Sequence, residues 1–255
     1  MTIFEALILG VVEGITEFLP ISSTGHLILA SSALGIADSE FLKTFEIAIQ
    51  LGAILSVVAL YWRSFLNIEI LKRILVAFIP TGIIGLALYG TIKTHLLGNE
   101  AVVLWALALG GVALIVFELV HKEKEGASDN LEHVTYKQAA FVGLFQSIAI
   151  IPGVSRSAAT IVGGLLLGIK RVAIVEFSFL LAVPTMGAAT GLDLLQNADS
   201  FTSQQTLVLA IGFVTSFVVA LGAIKFLLAF VRNHSFIPFG VYRIALAGIF
   251  FLWVL

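Results

Sequence analysis

Glu13-Gly-Ile-Thr-Glu17-Phe-Leu-Pro20-Ile-Ser-Ser-Thr-Gly25-His26 is a polar stretch with a proline at its centre, set between apolar runs at 3–12 and 27–37. Each run is about ten residues. At about 1.5 Å of helical rise per residue, it covers only about half of a 30 Å hydrocarbon core. A second stretch has the same build: Pro152-Gly-Val-Ser155-Arg156-Ser157 lies between apolar runs at 139–146 and 158–169. Proline removes a backbone donor and its ring clashes with the preceding turn, so each run should break at its centre. The two regions therefore read as re-entrant helical hairpins whose broken tips reach the middle of a membrane.

Around them lie six uninterrupted apolar segments, at roughly 45–62, 74–92, 101–120, 172–194, 206–230 and 238–255, near the length of about 20 residues that a span requires. Tyr61, Trp62, Trp105, Tyr242 and Trp253 lie towards segment ends, where amphipathic rings favour the water interface. Composition agrees with this reading. Of 255 residues, 59% are hydrophobic and only 12% charged, and the mean hydropathy is +1.08. A soluble domain is typically about 45–50% apolar and about 25% charged, so this chain has more apolar surface than one core can hide. The runs lack period-2 alternation, which favours helices over barrel strands. The fold expected is an all-α polytopic membrane protein with six transmembrane helices and two re-entrant hairpins. It should form a single membrane domain over 1–255, since the hydrophilic stretch at 121–133 is only a loop.

Other classes drop out. A net charge of −2 offers no broad basic surface for nucleic acid. The absence of cysteine removes disulfides, thiolate metal sites and cysteine nucleophiles. Glu5, Glu13 and Glu17 without an early Lys or Arg argue against a cleavable leader.

The basic residues orient the chain. With non-crossing hairpins, Arg63, Lys72, Arg73, Lys122, Lys124, Lys137, Lys170, Arg171, Lys225, Arg232 and Arg243 fall on one side, and Lys43 and Lys93 on the other. Were the second hairpin a crossing, the split would be nearly even. Cytoplasmic loops carry the Lys/Arg excess, so both chain ends and 195–205 are expected outside. A weak internal match at an offset of about 132–137 residues places Gly10, Glu13, Ser22 and Thr24 on Gly143, Gln146, Ser155 and Ser157. It also places Leu104-Trp105-Ala106 on Val241-Tyr242-Arg243. Each half, about 1–120 and 137–255, then holds one hairpin and three crossings. An odd number of crossings makes the repeat inverted and brings the tips together near the midplane.

The residues at those tips carry the chemistry. Glu13 and Glu17 share one helix face, and ionisable groups at this depth are costly and usually functional. Two like charges so close need a cation, a shared proton or an arginine. Ser22, Ser23 and Thr24 are natural helix caps, which is the plain reading of their hydroxyls. His26 follows three and four residues later, so a hydroxyl nucleophile and an imidazole can share a face. Arg156, between Ser155 and Ser157 and ahead of Thr160, has the planar fork that suits a phosphate, or it pairs with the glutamates. Free N–H groups at a half-helix start suit a phosphate as well. Glu46, Gln50, Glu176 and Asp193 are less specific.

The segments 13–26 and 152–160, with Ile49-Gln-Leu-Gly-Ala53, Tyr61-Trp-Arg63 and 177–184, resemble the bacterial undecaprenyl-diphosphate phosphatases of the bacitracin-resistance type over essentially the whole chain. The resemblance implies hydrolysis of undecaprenyl diphosphate to the monophosphate, which recycles the carrier lipid of cell-wall synthesis. It also implies a divalent cation, Mg²⁺ or Ca²⁺, and a site open to the outer face of the cytoplasmic (inner) membrane. On it, Glu13, Glu17, Ser23, His26 and Arg156 are the catalytic candidates, with Glu13 and Glu17 also the metal ligands. Ser22, Thr24, Ser155, Ser157 and Thr160 are the substrate-binding candidates. Ser23, His26 or a Glu-activated water remain as attacking groups, and a homodimer is left open. Type 2 phosphatidic-acid phosphatases carry Ser-Gly-His and Ser-Arg elements too, but Val162 stands where their histidine would be. The other rival is a polyprenyl-phosphate transporter or flippase built on the same inverted repeat.

The topology is directly testable because the chain has no native cysteine. Single cysteines at 199 are expected to react with an impermeant maleimide from outside the cell and those at 128 only after permeabilisation. The opposite pattern would overturn the inverted arrangement.

Overall fold

The computed structural model describes residues 1–96, 99–123, 130–197 and 202–254. Within them the chain forms ten α-helices and no strand. They are α1 (Ile3–Thr16), α2 (Ser23–Ala33), α3 (Glu40–Leu66), α4 (Ile68–His95), α5 (Glu100–Val120), α6 (Tyr136–Ser147), α7 (Arg156–Leu166), α8 (Arg171–Asn197), α9 (Ser203–Val231) and α10 (Ile237–Val254).

Both interrupted regions are pairs of short helices. Pro20 falls in the turn between α1 and α2, and Pro152-Gly153 in the turn between α6 and α7. Helices of 14, 11, 12 and 11 residues rise only about 16–21 Å, well short of a hydrocarbon core. Threonine starts both hairpins: Thr2 with Glu5, and Thr135 with Gln138, close reciprocal capping boxes at α1 and α6. The six continuous apolar segments are all helices. Five are long and apolar enough to cross a membrane, on α3, α4, α5, α8 and α9, whereas the apolar part of α10, Ile237–Leu252, is shorter. The chain is a multi-pass membrane protein, and Leu86, Leu252 and Phe4 are among the large apolar side chains left on its exterior.

The hairpins are wedged between long helices. The arm α1 lies along α9 and the arm α6 along α4, while α3 packs on α8 and α9, and α5 on α10. In a bilayer there is no hydrophobic gain from helix association, so close backbone approach through small residues takes its place. A Cβ on Gly14 would stand 2.7 Å from the Ser216 carbonyl oxygen and 2.7 Å from Val219 Cβ, and one on Gly143 would run into the Ala77 carbonyl. Aromatic packing holds the first tip against α8, where Phe18 meets Phe179 edge-on at 5.2 Å and 81°.

Basic residues gather at the end of the molecule where α3 finishes and α4 and α8 begin. There Arg73 holds Glu69 and the Val134 carbonyl, and Arg171 forms an ion pair with the buried Glu118. Arg243 is not among them, which corrects its place in the charge tally. It lies within α10 at 0% exposure, at the hairpin tips. The remaining asymmetry still favours the same orientation. Positions 128 and 199, and the side chains of Lys93, Asp193 and Trp253, lie outside the described residues.

The α1–α9 contact makes a matched pair of substitutions informative. Gly14→Ala should destabilise by about 1–3 kcal/mol through overpacking. Gly222→Ala, on the same α9 with nothing within 4 Å of its new methyl, should be neutral or stabilising by up to about 1 kcal/mol. Thermal unfolding in detergent reads both. Equal behaviour of the two variants would refute the close approach.

Candidate functional site

Each half-helix begins at a serine held in a backbone conformation that serine rarely adopts. Ser22 has φ 71° and ψ 94°, and Ser155 has φ 77° and ψ 113°. These are the two positive-φ residues other than glycine among the described residues. Such a conformation costs on the order of 1–3 kcal/mol and persists only where the surroundings enforce it. Both serines cap their helices, Ser22 Oγ accepting from Gly25 N–H at 3.4 Å and Ser155 Oγ from Ala158 N–H at 3.2 Å. Gly153, with φ 93°, is required twice over, since a Cβ there would also stand 2.7 Å from the Val103 carbonyl oxygen.

The sharp turns throw four side chains together. Ser23 Oγ donates to Glu17 Oε2 at 2.5 Å, and Arg156 Nη2 donates to Glu17 Oε1 at 2.8 Å. Thus one carboxylate from the first hairpin ties a hydroxyl of its own tip to the guanidinium of the other. The same guanidinium donates through Nη1 to the Ser178 carbonyl at 2.8 Å and lies over the Phe18 ring. Arg156 Nε has no partner. Glu13 lies one turn behind Glu17 at 0% exposure, and neither of its oxygens has a hydrogen-bond partner.

A cavity of about 280 Å³ opens over this cluster, lined by Glu17, Ser22, Ser23, Thr24, Ser155 and Arg156 from the two tips. Gln50, Thr81, Gln146, Thr185 and Thr190 complete its polar wall. Gln146 Nε2 donates to both Thr81 Oγ1 and Thr185 Oγ1, while Thr81 Oγ1 and Thr185 Oγ1 donate onward to the Gly143 and Leu181 carbonyls.

Most of the predicted residues converge, but three take other parts, and Glu13 lies behind Glu17 rather than in the cavity lining. Ser157 is turned inward and donates to the Phe18 carbonyl at 2.7 Å, stitching the two tips together. Thr160, at 0% exposure, exchanges a hydrogen bond of 2.6 Å with Ser178 Oγ. Neither is among the residues lining the cavity. His26 shares a helix with Ser23 but does not pair with it. Its Nδ1 is 2.7 Å from the Ser22 carbonyl and its Nε2 is 2.8 Å from Tyr242 Oη. A carbonyl only accepts, so Nδ1 carries the proton and, in the neutral ring, Nε2 accepts from the tyrosine. The hydrogen bond that Ser23 donates is accepted by Glu17, not by His26. Sequence reasoning passed over Ser178, Thr81 and Thr185, and it reads Tyr242 as interfacial and Arg243 as cytoplasmic, whereas both meet the tips. Gln50, read as unspecific, lines the cavity, while Glu46 accepts from Ser31 at 3.2 Å.

The profile of the family described as Bacitracin resistance protein BacA matches residues 6–249. Over 253 residues, 99% of this chain and all of the relative, the chain is 55% identical to a protein of Sulfurihydrogenibium sp. (strain YO3AOP1) named undecaprenyl-diphosphatase. Proteins of the same name from Wolinella succinogenes and Aquifex aeolicus are 51% identical over 256 residues and 52% identical over 251 residues. These cover 100% and 98% of this chain and 99% and 98% of the relatives.

The Glu17–Arg156 pair should couple strongly. Glu17→Ala alone leaves a buried guanidinium unpaired and is expected to cost about 3–5 kcal/mol. The double variant Glu17→Ala with Arg156→Ala should cost less than the sum of the two singles. Additive losses in thermal unfolding would show that the pair is not made.

Proposed function

The chain belongs to the Bacitracin resistance protein BacA family, and on that footing we propose that it is a membrane phosphatase that hydrolyses undecaprenyl diphosphate to undecaprenyl phosphate and inorganic phosphate. The observation that carries this reading is the Ser23 hydroxyl held 2.5 Å from a carboxylate that also holds Arg156, inside a cavity between two half-helix N-termini. The cavity suits the two phosphates of the headgroup. The polyprenyl chain, far too large for it, would remain outside along the apolar surface.

In this mechanism Glu17 accepts the Ser23 proton as Oγ attacks the terminal phosphorus. The Oγ–P bond forms, the bond to the bridging oxygen breaks, and the leaving lipid monophosphate takes the electron pair. Water then attacks the phosphoserine, releasing phosphate and restoring the hydroxyl. Arg156 faces the phosphoryl oxygens, where planar charge is most effective on a loose transition state. His26 fixes the Ser22 turn rather than taking the Ser23 proton. Direct attack by a Glu-activated water is the competing route, since phosphoryl transfer asks little covalent chemistry of a protein.

Two buried carboxylates face one guanidinium in this cluster, and Glu13 has two unpartnered oxygens. Those unpartnered oxygens, one turn behind the cavity-lining Glu17, fit a divalent cation, Mg²⁺ or Ca²⁺, held by Glu13 and Glu17. Such an ion supplies neutralisation of the diphosphate oxygens. No group of three or more His, Asp or Glu side chains converges among the described residues, so phosphate oxygens or water would complete the shell.

The outward-facing site has structural support. Gln50 lies in the first half of α3, and Thr185 and Thr190 in the second half of α8. The cavity is thus displaced away from the end that carries Arg63, Lys72 and Arg171, which the charge asymmetry assigns to the cytoplasm. We read the fold as an inverted repeat of about 1–120 and 137–255 in the inner membrane. Supporting it are the paired threonine caps, the serines at φ 71° and 77°, and the crossed packing of α1 on α9 and α6 on α4.

Purified protein should release phosphate from a C55 diphosphate and stop when a chelator is added. A carrier of the same lipid would release none. Ser23→Ala should bind the lipid and lose at least about 100-fold in turnover. Arg156→Lys should be severely impaired because a point charge cannot replace the fork. Glu13→Gln and Glu17→Gln should lose metal dependence together with activity. Substantial turnover in Ser23→Ala, with no trapped phosphoserine in the wild type, would remove the serine route and leave activated water.

A further inference from the structure

We propose that Arg243, aided by Tyr242 beside it, is a positioning residue that clips the tips of both hairpins to α5 and so sets the relative aim of the two half-helices around the cavity. The inference rests on the proposed phosphatase reading for its activity readout, but its geometry stands independently.

All five N–H donors of the Arg243 guanidinium are spent on main-chain carbonyls. Nη1 donates to Pro20 at 3.2 Å and Val154 at 3.0 Å, Nη2 to Gly153 at 3.0 Å and Ala106 at 2.9 Å, and Nε to Leu107 at 3.3 Å. Pro20 belongs to the first tip, Gly153 and Val154 to the second, and Ala106 and Leu107 to α5. One rigid plane thus touches three separate elements on top of its own helix α10, with no carboxylate among its partners. A lysine has three donors on one atom and cannot span carbonyls so far apart.

The surroundings are shaped for this group. A Cβ on Gly110 would collide with Nη2, and one on Gly111 would stand 3.1 Å from Arg243 Cβ. In the internal match of the two halves, Arg243 falls on Ala106, whose own carbonyl it holds. Where the two halves approach each other there is room for one guanidinium, and the opposite half supplies a small residue and Gly110 instead.

Tyr242 works on the same tip. Its hydroxyl holds His26, and His26 holds the Ser22 carbonyl, while Arg243 holds Pro20 two residues earlier. Adjacent residues of α10 therefore grip the backbone on both sides of Ile21. The unfavourable φ of Ser22, from which Ser23 is aimed at Glu17, is enforced from there. At the other tip, the grip on Gly153 and Val154 precedes Ser155 and the aim of Arg156.

The test combines a distance with kinetics. Cysteines replacing Ser32 and Leu166, both exposed and on the far ends of α2 and α7, carry spin labels whose separation is measured without substrate. Arg243→Lys and Gly110→Ala should shift or broaden that distance distribution. They should also lower kcat about 100-fold, the scale of a small misplacement of reacting groups, with KM little changed. Tyr242→Phe, which removes one hydroxyl and preserves shape, should lower kcat roughly tenfold with a smaller broadening. An unchanged distance distribution in all three variants would overturn the clip. A changed distribution with wild-type kcat per folded molecule would reduce Arg243 to a purely structural part and overturn the positioning role. If the wild type itself released no phosphate, the phosphatase reading would fail while the distances still decided the clip.

Discussion

A helix broken inside a bilayer leaves its terminal N–H and carbonyl groups without water, and each unsatisfied group there costs several kcal/mol. Nearly everything at the centre of this molecule answers that constraint. Ser22 and Ser155 cap the amides of the two half-helices, Ser157 satisfies the Phe18 carbonyl, His26 the Ser22 carbonyl, and Arg243 five carbonyls at once. On the re-entrant reading the tips can therefore be irregular, and a polar cavity can exist at that depth, because the protein supplies the hydrogen bonds that water cannot.

The same groups settle the electrostatics. Arg243 is neutralised by carbonyl dipoles rather than by a carboxylate, so it does not compete for Glu13 or Glu17. Glu17 spends both oxygens, one on Ser23 and one on Arg156. Glu13 has nothing. A buried polar group without a partner is a costly arrangement, and on the proposed reading the cost is relieved by a cation that arrives with, or ahead of, the diphosphate. Arg156 bonds Glu17 and Ser178 through its two terminal nitrogens, while its buried Nε has no partner.

Much of this was legible in the sequence, and the exceptions have physical causes. Pro20 and Pro152-Gly153 mark the breaks because each falls among polar residues between apolar runs too short to span, whereas Pro80 and Pro184 sit in long apolar segments and are carried inside α4 and α8. Glu17, Ser23 and Arg156 stand out as polar groups where lipid tolerates few. Linear spacing, however, says only which residues share a helix face, not which way the tip turns. His26 lies on the turn after Ser22 and Ser23 in any helical reading, yet the positive φ of Ser22 brings its ring to a backbone carbonyl and to Tyr242. Ser157 and Thr160 likewise lie close to Arg156 in sequence, but Ser157 points at the other tip and Thr160 into the packing between hairpin and α8. The Lys/Arg count places Arg243 in the cytoplasm, since such a count assumes that an arginine near the start of an apolar segment snorkels to the interface. Only the crossing of α10 over α5 at Gly110 and Gly111 shows that it turns inward.

The two halves also show how a repeated element becomes a single site. In the proposed repeat, Glu13 corresponds to Gln146 and Arg243 to Ala106. Gln146 spends its amide N–H groups on Thr81 and Thr185 and leaves Oε1 without a partner, so the second half offers the cavity a neutral wall where the first offers a carboxylate. A carboxylate at 146 as well would bring three acidic groups to one anionic headgroup, with Arg156 the one guanidinium of the two tips to offset them. Arginines at both 243 and 106 would contend for the space that Gly110 leaves. Divergence at these two positions lets one hairpin hold the nucleophile and its base, the other hold the guanidinium, and a single buried arginine fix the angle between them.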